Sequence, residues 1–158
     1  MKIINLSLIL NFSIMTNKVY KIQKVIAEII YLFLIFFFCY TAVNKLVKLD
    51  SFKNNLIKTT LFSKDLADVF SVVIIALEVF IILILMFCKK KGLLIFGFTM
   101  LIFTLYISLL RFKGLYEVCG CGGVLNGLKY QYHLLINVVL TIGSLYSFYI
   151  FNIIDDEK

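Results

Sequence analysis

The chain reads as an all-α membrane protein, a four-transmembrane-helix bundle with an amphipathic interfacial segment between helices 1 and 2. Three observations carry this expectation. The first is composition: 62% of the 158 residues are hydrophobic and 16% are charged, where a soluble domain has roughly 45–50% and about 25%. Mean hydropathy is +1.01. The second is four apolar runs, each near the length of about 20 residues that a helix needs to cross a bilayer. The third is their continuity. A transmembrane barrel alternates apolar and polar residues in short segments, and these runs do not. A continuous run in lipid must be helical, because its amides can bond only within their own segment. The chain has no proline, so proline kinks none of the helices.

The same numbers exclude other classes. Disorder needs low hydrophobicity and high net charge. The formal charge of +7 does not mark a nucleic-acid module, because the basic residues fall in short clusters between apolar runs, as membrane flanks do, instead of gathering on one polar face.

Residues 1–17 read as a leader-like or interfacial extension, with Lys2 before a short apolar stretch, no small-residue cleavage site, and Met15 as a second candidate start. Residues 18–158 read as one four-helix membrane domain. Its helices are predicted near 22–45, 66–88, 92–112 and 132–154. Lys18, Lys21 and Lys24 precede the first span, and Glu28 lies in its opening turn. The second is interrupted only by Glu78. Lys89, Lys90 and Lys91 form a basic turn before the third, which is uncharged from Gly92 to Leu110. Tyr130, Tyr132 and Tyr149 flank the fourth at headgroup level, where amphipathic rings settle.

Between helices 1 and 2, apolar Leu46, Leu49, Phe52 and Leu56 recur at helical period, with lysines on the other face. That pattern fits a helix lying flat on a membrane or a short cap over the bundle. Small residues at helix interfaces would support an assembly role, but Gly92, Gly97 and Gly143 are too sparse to decide it. The basic residues divide eight and eight between the two sides. The dense Lys89–Lys90–Lys91 turn breaks the tie, which puts both termini on the cytoplasmic side and the loops 45–68 and 111–132 outside.

The chemistry concentrates in Cys119-Gly120-Cys121-Gly122-Gly123, in the loop between helices 3 and 4. Two cysteines one residue apart can form a disulfide, share a soft metal or stay reduced. A disulfide requires its Cα atoms about 4.4–6.8 Å apart, so the chain must turn between them, which Gly120 permits. Gly122 and Gly123 let the chain fold closely around the pair. So small a ring is strained, and strained disulfides are the labile or catalytic ones.

Other polar residues could serve this loop. His133, the single histidine, lies twelve positions after Cys121 and could act as a base or a third soft ligand. Asn137 lies one turn deeper on the same face. Glu78 is an ionisable group deep in a span, which is a functional-site hypothesis by default, and Lys45 is its candidate partner. The pair could instead be purely structural. Cys39, near the same end as the loop, is a possible third thiol or a small core residue.

With Lys45, Leu77-Glu78, the Cys-Gly-Cys-Gly-Gly loop, His133 and Asn137 in place, the chain resembles the MauE/DoxX-like redox-associated membrane proteins over about residues 20–154. The resemblance implies a bacterial inner-membrane, multi-pass protein linked to methylamine utilisation. It further implies a role in making or maintaining disulfides in an extracytoplasmic partner or client. Cys119, Cys121, His133 and Glu78 would carry the chemistry. Lys45, Asn137, Gly120, Gly122 and Gly123 would support or relay. More distantly the architecture is similar to quinone-linked disulfide oxidases related to vitamin K epoxide reductase, which implies a membrane quinone as electron acceptor. Two other classes stay open: a Cu or Zn handler using Cys119, Cys121 and His133, and a structural assembly subunit.

Overall fold

A computed structural model describes residues 2–59, 61–114 and 130–156, with side chains described between residues 19 and 153 of these segments. Five helices follow one another: α1 (Lys2–Val47), α2 (Leu49–Lys58), α3 (Lys64–Phe87), α4 (Lys89–Phe112) and α5 (Tyr130–Asp156). Four stretches are long and apolar enough to cross a membrane: Val19–Val47, Lys64–Phe87, Lys89–Phe112 and Tyr130–Ile153. At 1.5 Å per residue, the 24-residue α3 and α4 are each about 36 Å long, enough for a hydrocarbon core of about 30 Å. Helix α1 is continuous from Lys2 because neither proline nor glycine occurs before Gly92 to break it.

Each helix end has a local cause. Ser63 caps α3 by accepting from the Leu66 amide (3.4 Å), and Asp65 in the first turn complements the helix dipole. Gly114, at φ +70°, ends α4 in the left-handed conformation that glycine adopts without penalty.

The four spanning helices form a ring in which α1 packs on α3 and α5, and α4 packs on the same two. Their shared core includes Leu34, Phe38, Ile81, Leu85, Leu93 and Phe96. Phe38 and Phe96 meet with ring centroids 4.4 Å apart. The opposite face of each span is apolar and exposed, as with Phe36, Val72, Phe98 and Leu105. A continuous apolar exterior of this kind has lipid as its solvent.

Small residues form the seams. The Ser144 hydroxyl donates to the Leu93 carbonyl and joins α5 to α4. The Ser147 hydroxyl donates to the Ala27 carbonyl (3.3 Å) and joins α5 to α1. All three of Ala27, Ser144 and Ser147 are fully buried, so the backbones approach closely. Ser144→Ala is expected to lower stability by about 1 kcal/mol, the net worth of one such bond, measured by denaturant titration in mixed micelles.

Charges mark the end of the bundle where α3 turns into α4. Lys89 bonds Glu28 on α1 (3.1 Å) and lies over the rings of Tyr31 (4.8 Å) and Phe151 (5.6 Å). Only Cys88 separates α3 from α4. At the other end, α2 turns its apolar face inward. Phe52 and Leu56 pack against Ala67 and Ile75 of α3, and Lys53 pairs with Asp68 (3.0 Å). The amphipathic segment therefore caps the bundle with the face that its sequence period marked as apolar.

Candidate functional site

The site lies at the α2 end, and its position follows from the register of four helices. On α1, Phe38, Thr41 and Lys45 are three and four residues apart and so share one face. Glu78 on α3 is eleven residues before Lys89, about 16 Å along the axis and so near the middle of the span. His133 and Asn137 are one turn apart near the start of α5. Helix α4 contributes Phe103 and Tyr106.

Lys45 and Glu78 form a buried ion pair through Nζ and Oε1. Their side chains are 5% and 1% exposed, so almost no water offsets the removal of either charge from solvent. Aromatic rings supply part of the compensation. Lys45 Nζ lies 5.7 Å from the Phe52 centroid and 5.6 Å from that of Phe103, within cation–π range. One ammonium thus ties α1, α2, α3 and α4 together.

Beside the pair is a cavity of about 350 Å³ lined by Thr41, Lys45, Glu78, Tyr106, His133 and Asn137 among many aromatic and aliphatic side chains. His133 and Asn137 are buried. Three polar atoms on this lining have no hydrogen-bond partner among the described residues: Glu78 Oε2, Tyr106 Oη and Asn137 Nδ2.

Four of the residues that the sequence singled out, Lys45, Glu78, His133 and Asn137, therefore line one cavity. Cys119, Gly120, Cys121, Gly122 and Gly123 lie outside the described residues. Cys39 is half-buried against the shared core, and Cys88 is exposed at the opposite end. The sequence marks Phe52 only as part of the apolar face of the amphipathic segment, and it does not single out Thr41, Phe103 or Tyr106. The signal for Thr41 was its spacing of four from Lys45, which puts it on the charged face. Phe103 and Tyr106 carry no such mark, because 16 phenylalanines and 9 tyrosines give little contrast.

These features define a class: a polytopic α-helical membrane protein whose spans enclose a largely apolar cavity with a few buried polar groups and a buried ion pair. The family model described as methylamine utilisation protein MauE matches residues 23–150, a stretch that takes in most of all four spans. The chain belongs to the MauE family. A search of the curated proteins found no match, and neither did a search of the solved structures.

Proposed function

We propose that this MauE-family membrane protein presents Cys119 and Cys121 as a dithiol/disulfide at the outer face of a bacterial inner membrane, with both termini cytoplasmic. There it assists disulfide formation or maturation of an extracytoplasmic partner that serves methylamine utilisation. The observation that carries the reading is where the cysteine segment is tethered. The chain leaves α4 at Gly114 and re-enters α5 at Tyr130. Both ends belong to the cavity end of the bundle, where Tyr130 packs with Tyr106, Ile107 and Leu110. Cys119 is five residues from Gly114, so it stays within about 18 Å of it by chain length alone.

In this reading a client thiolate attacks the Cys119–Cys121 disulfide and forms a mixed disulfide, which a second client thiol then displaces. The client gains a disulfide, and two electrons and two protons remain on Cys119 and Cys121. A membrane-dissolved oxidant of the quinone class must remove them. His133, between the tether at Tyr130 and the Lys45–Glu78 pair, is the group suited to move the proton.

Serine at either Cys119 or Cys121 is expected to abolish client disulfide formation, because each step needs both sulfurs. Client disulfides that form normally in Cys119→Ser cells would overturn the reading. Labelling of intact cells with a membrane-impermeant maleimide tests the side: the pair should react from outside, and only after reduction.

A further inference from the structure

We infer that the cavity beside Lys45 and Glu78 is a binding site for a neutral, flat-ringed lipid whose ring carries hydroxyl groups, a hydroquinone-class head group, with its tail leaving between α3 and α4. A carrier role for this lipid rests on the redox reading above. The binding site rests on the cavity alone.

Four observations lead there. The first is size: about 350 Å³ falls within the roughly 300–1,000 Å³ of small-molecule pockets. The second is shape of lining. Aromatic rings come from α1 (Phe37, Phe38), α2 (Phe52), α3 (Phe70) and α4 (Phe103, Tyr106), and rings favour a flat aromatic guest over a flexible chain.

The third is the set of three unsatisfied atoms. Glu78 Oε2 can accept a hydrogen bond, Asn137 Nδ2 can donate one and the Tyr106 hydroxyl can do either, and none of the three has a partner among the described residues. Buried polar atoms are nearly always bonded, and in a bilayer no bulk water does it. The missing guest must therefore offer both a donor and an acceptor. A hydroquinone hydroxyl is both. A quinone carbonyl satisfies Asn137 but has no hydrogen for the Glu78 carboxylate. Glu78 is already matched in charge by Lys45, so a cationic guest has no counter-charge to meet. The fourth is access: Val73 and Leu77 of α3 and Ile102 of α4 line the cavity and are also exposed on the lipid side. The mouth opens sideways into the membrane.

The two simpler occupants fit less well. Water at roughly 30 Å³ per molecule would number about a dozen, each needing two to four polar partners, and six polar side chains among phenyl walls cannot supply them. An acyl chain would fill the volume and leave Glu78 Oε2, Tyr106 Oη and Asn137 Nδ2 bare.

The test uses the full chain in phosphatidylcholine nanodiscs, titrated by calorimetry with a decyl-substituted hydroquinone kept reduced, its quinone, and decylbenzene. Saturable binding is expected in the order hydroquinone, quinone, decylbenzene, with the first two about tenfold apart for the one hydrogen bond that differs. Asn137→Leu should weaken hydroquinone binding about tenfold on the same grounds. Ile102→Trp, on the lipid face and so tolerated by the fold, should block entry. Circular dichroism checks that both variants remain helical. Absence of saturable hydroquinone binding overturns the inference, and so does equal binding of decylbenzene or indifference to both variants. Serine at Cys119 and Cys121 should leave this binding unchanged, so the thiol reading and the cavity site can fail separately.

Discussion

Lys45→Met alone is expected to destabilise the bundle by about 3–5 kcal/mol, and adding Glu78→Leu should recover most of that loss. The asymmetry follows from burial. With side chains 5% and 1% exposed, neither charge has water to fall back on. Removing the ammonium leaves a carboxylate facing hydrocarbon and the Phe52 and Phe103 rings. Removing both leaves two apolar side chains of similar volume among apolar neighbours, and well-packed hydrophobic replacements of buried pairs are often neutral or better. Unfolding titrations of wild type, both single variants and the double variant in mixed micelles complete the cycle. A double variant no more stable than Lys45→Met would show that the loss came from elsewhere, for example from α2 leaving α3. The double variant also separates stability from function. It should be folded and should no longer hold a hydroquinone, because Glu78 Oε2 is one of the three polar atoms in the cavity without a partner among the described residues.

Gly92→Val is expected to be at least as damaging, and for a steric reason. A Cβ at position 92 would lie 2.6 Å from the Leu85 Cα and 2.8 Å from the Leu85 nitrogen. Backbone atoms cannot turn aside as a side chain can, so α4 must move off α3. Overpacking typically costs about 1–3 kcal/mol, and a clash with main chain belongs at or above the top of that range. Gly92→Ala already places the offending atom and should cost about 2–3 kcal/mol, although alanine is normally the better helix former by about 1 kcal/mol. Gly97 is the control. There a Cβ meets only the side chains of Ser144 and Leu145 at 3.6 Å and beyond, so Gly97→Ala should be neutral or slightly stabilising. Equal effects of alanine at 92 and 97 would remove close approach as the cause.

The four spans were legible in the sequence because a bilayer tolerates no other solution for long uncharged runs. The charged residues Lys45 and Glu78 were legible for the same reason: a charge in a span is costly enough to stand out. For α2, the period marked which face is apolar, but period alone does not say whether that face meets lipid or protein. Phe52 and Leu56 settle on Ala67 and Ile75 because α2 is tethered over the end of α3 by the short link to Lys64. The seam residues Ala27, Ser144 and Ser147 were not legible, since one small residue per turn is invisible without knowing which helix it faces. The three glycines Gly92, Gly97 and Gly143 were too sparse in the sequence to decide an interface, and of them only Gly92 enforces close approach of backbone to backbone. The cavity was the least legible feature. A void is a property of how four helices diverge, and no single stretch of sequence encodes it.

The single-residue link at Cys88 has a consequence for biogenesis. Two helices joined so tightly, with Gly92 seated against Leu85, have no room to enter the bilayer one after the other. Such a link favours insertion of α3 and α4 together as a helical hairpin. Helix α3 is the most apolar of the four spans, and it carries Glu78. An acidic residue at mid-helix opposes insertion by up to about 3 kcal/mol on the biological scale, and the greasy remainder of α3 outweighs that. Lys45, made earlier, waits at the end of α1 until the hairpin brings Glu78 to it. The tight link thus makes α3 and α4 one unit, and that unit supplies both Glu78 for the pair with Lys45 and the Leu93 carbonyl on which Ser144 of α5 closes.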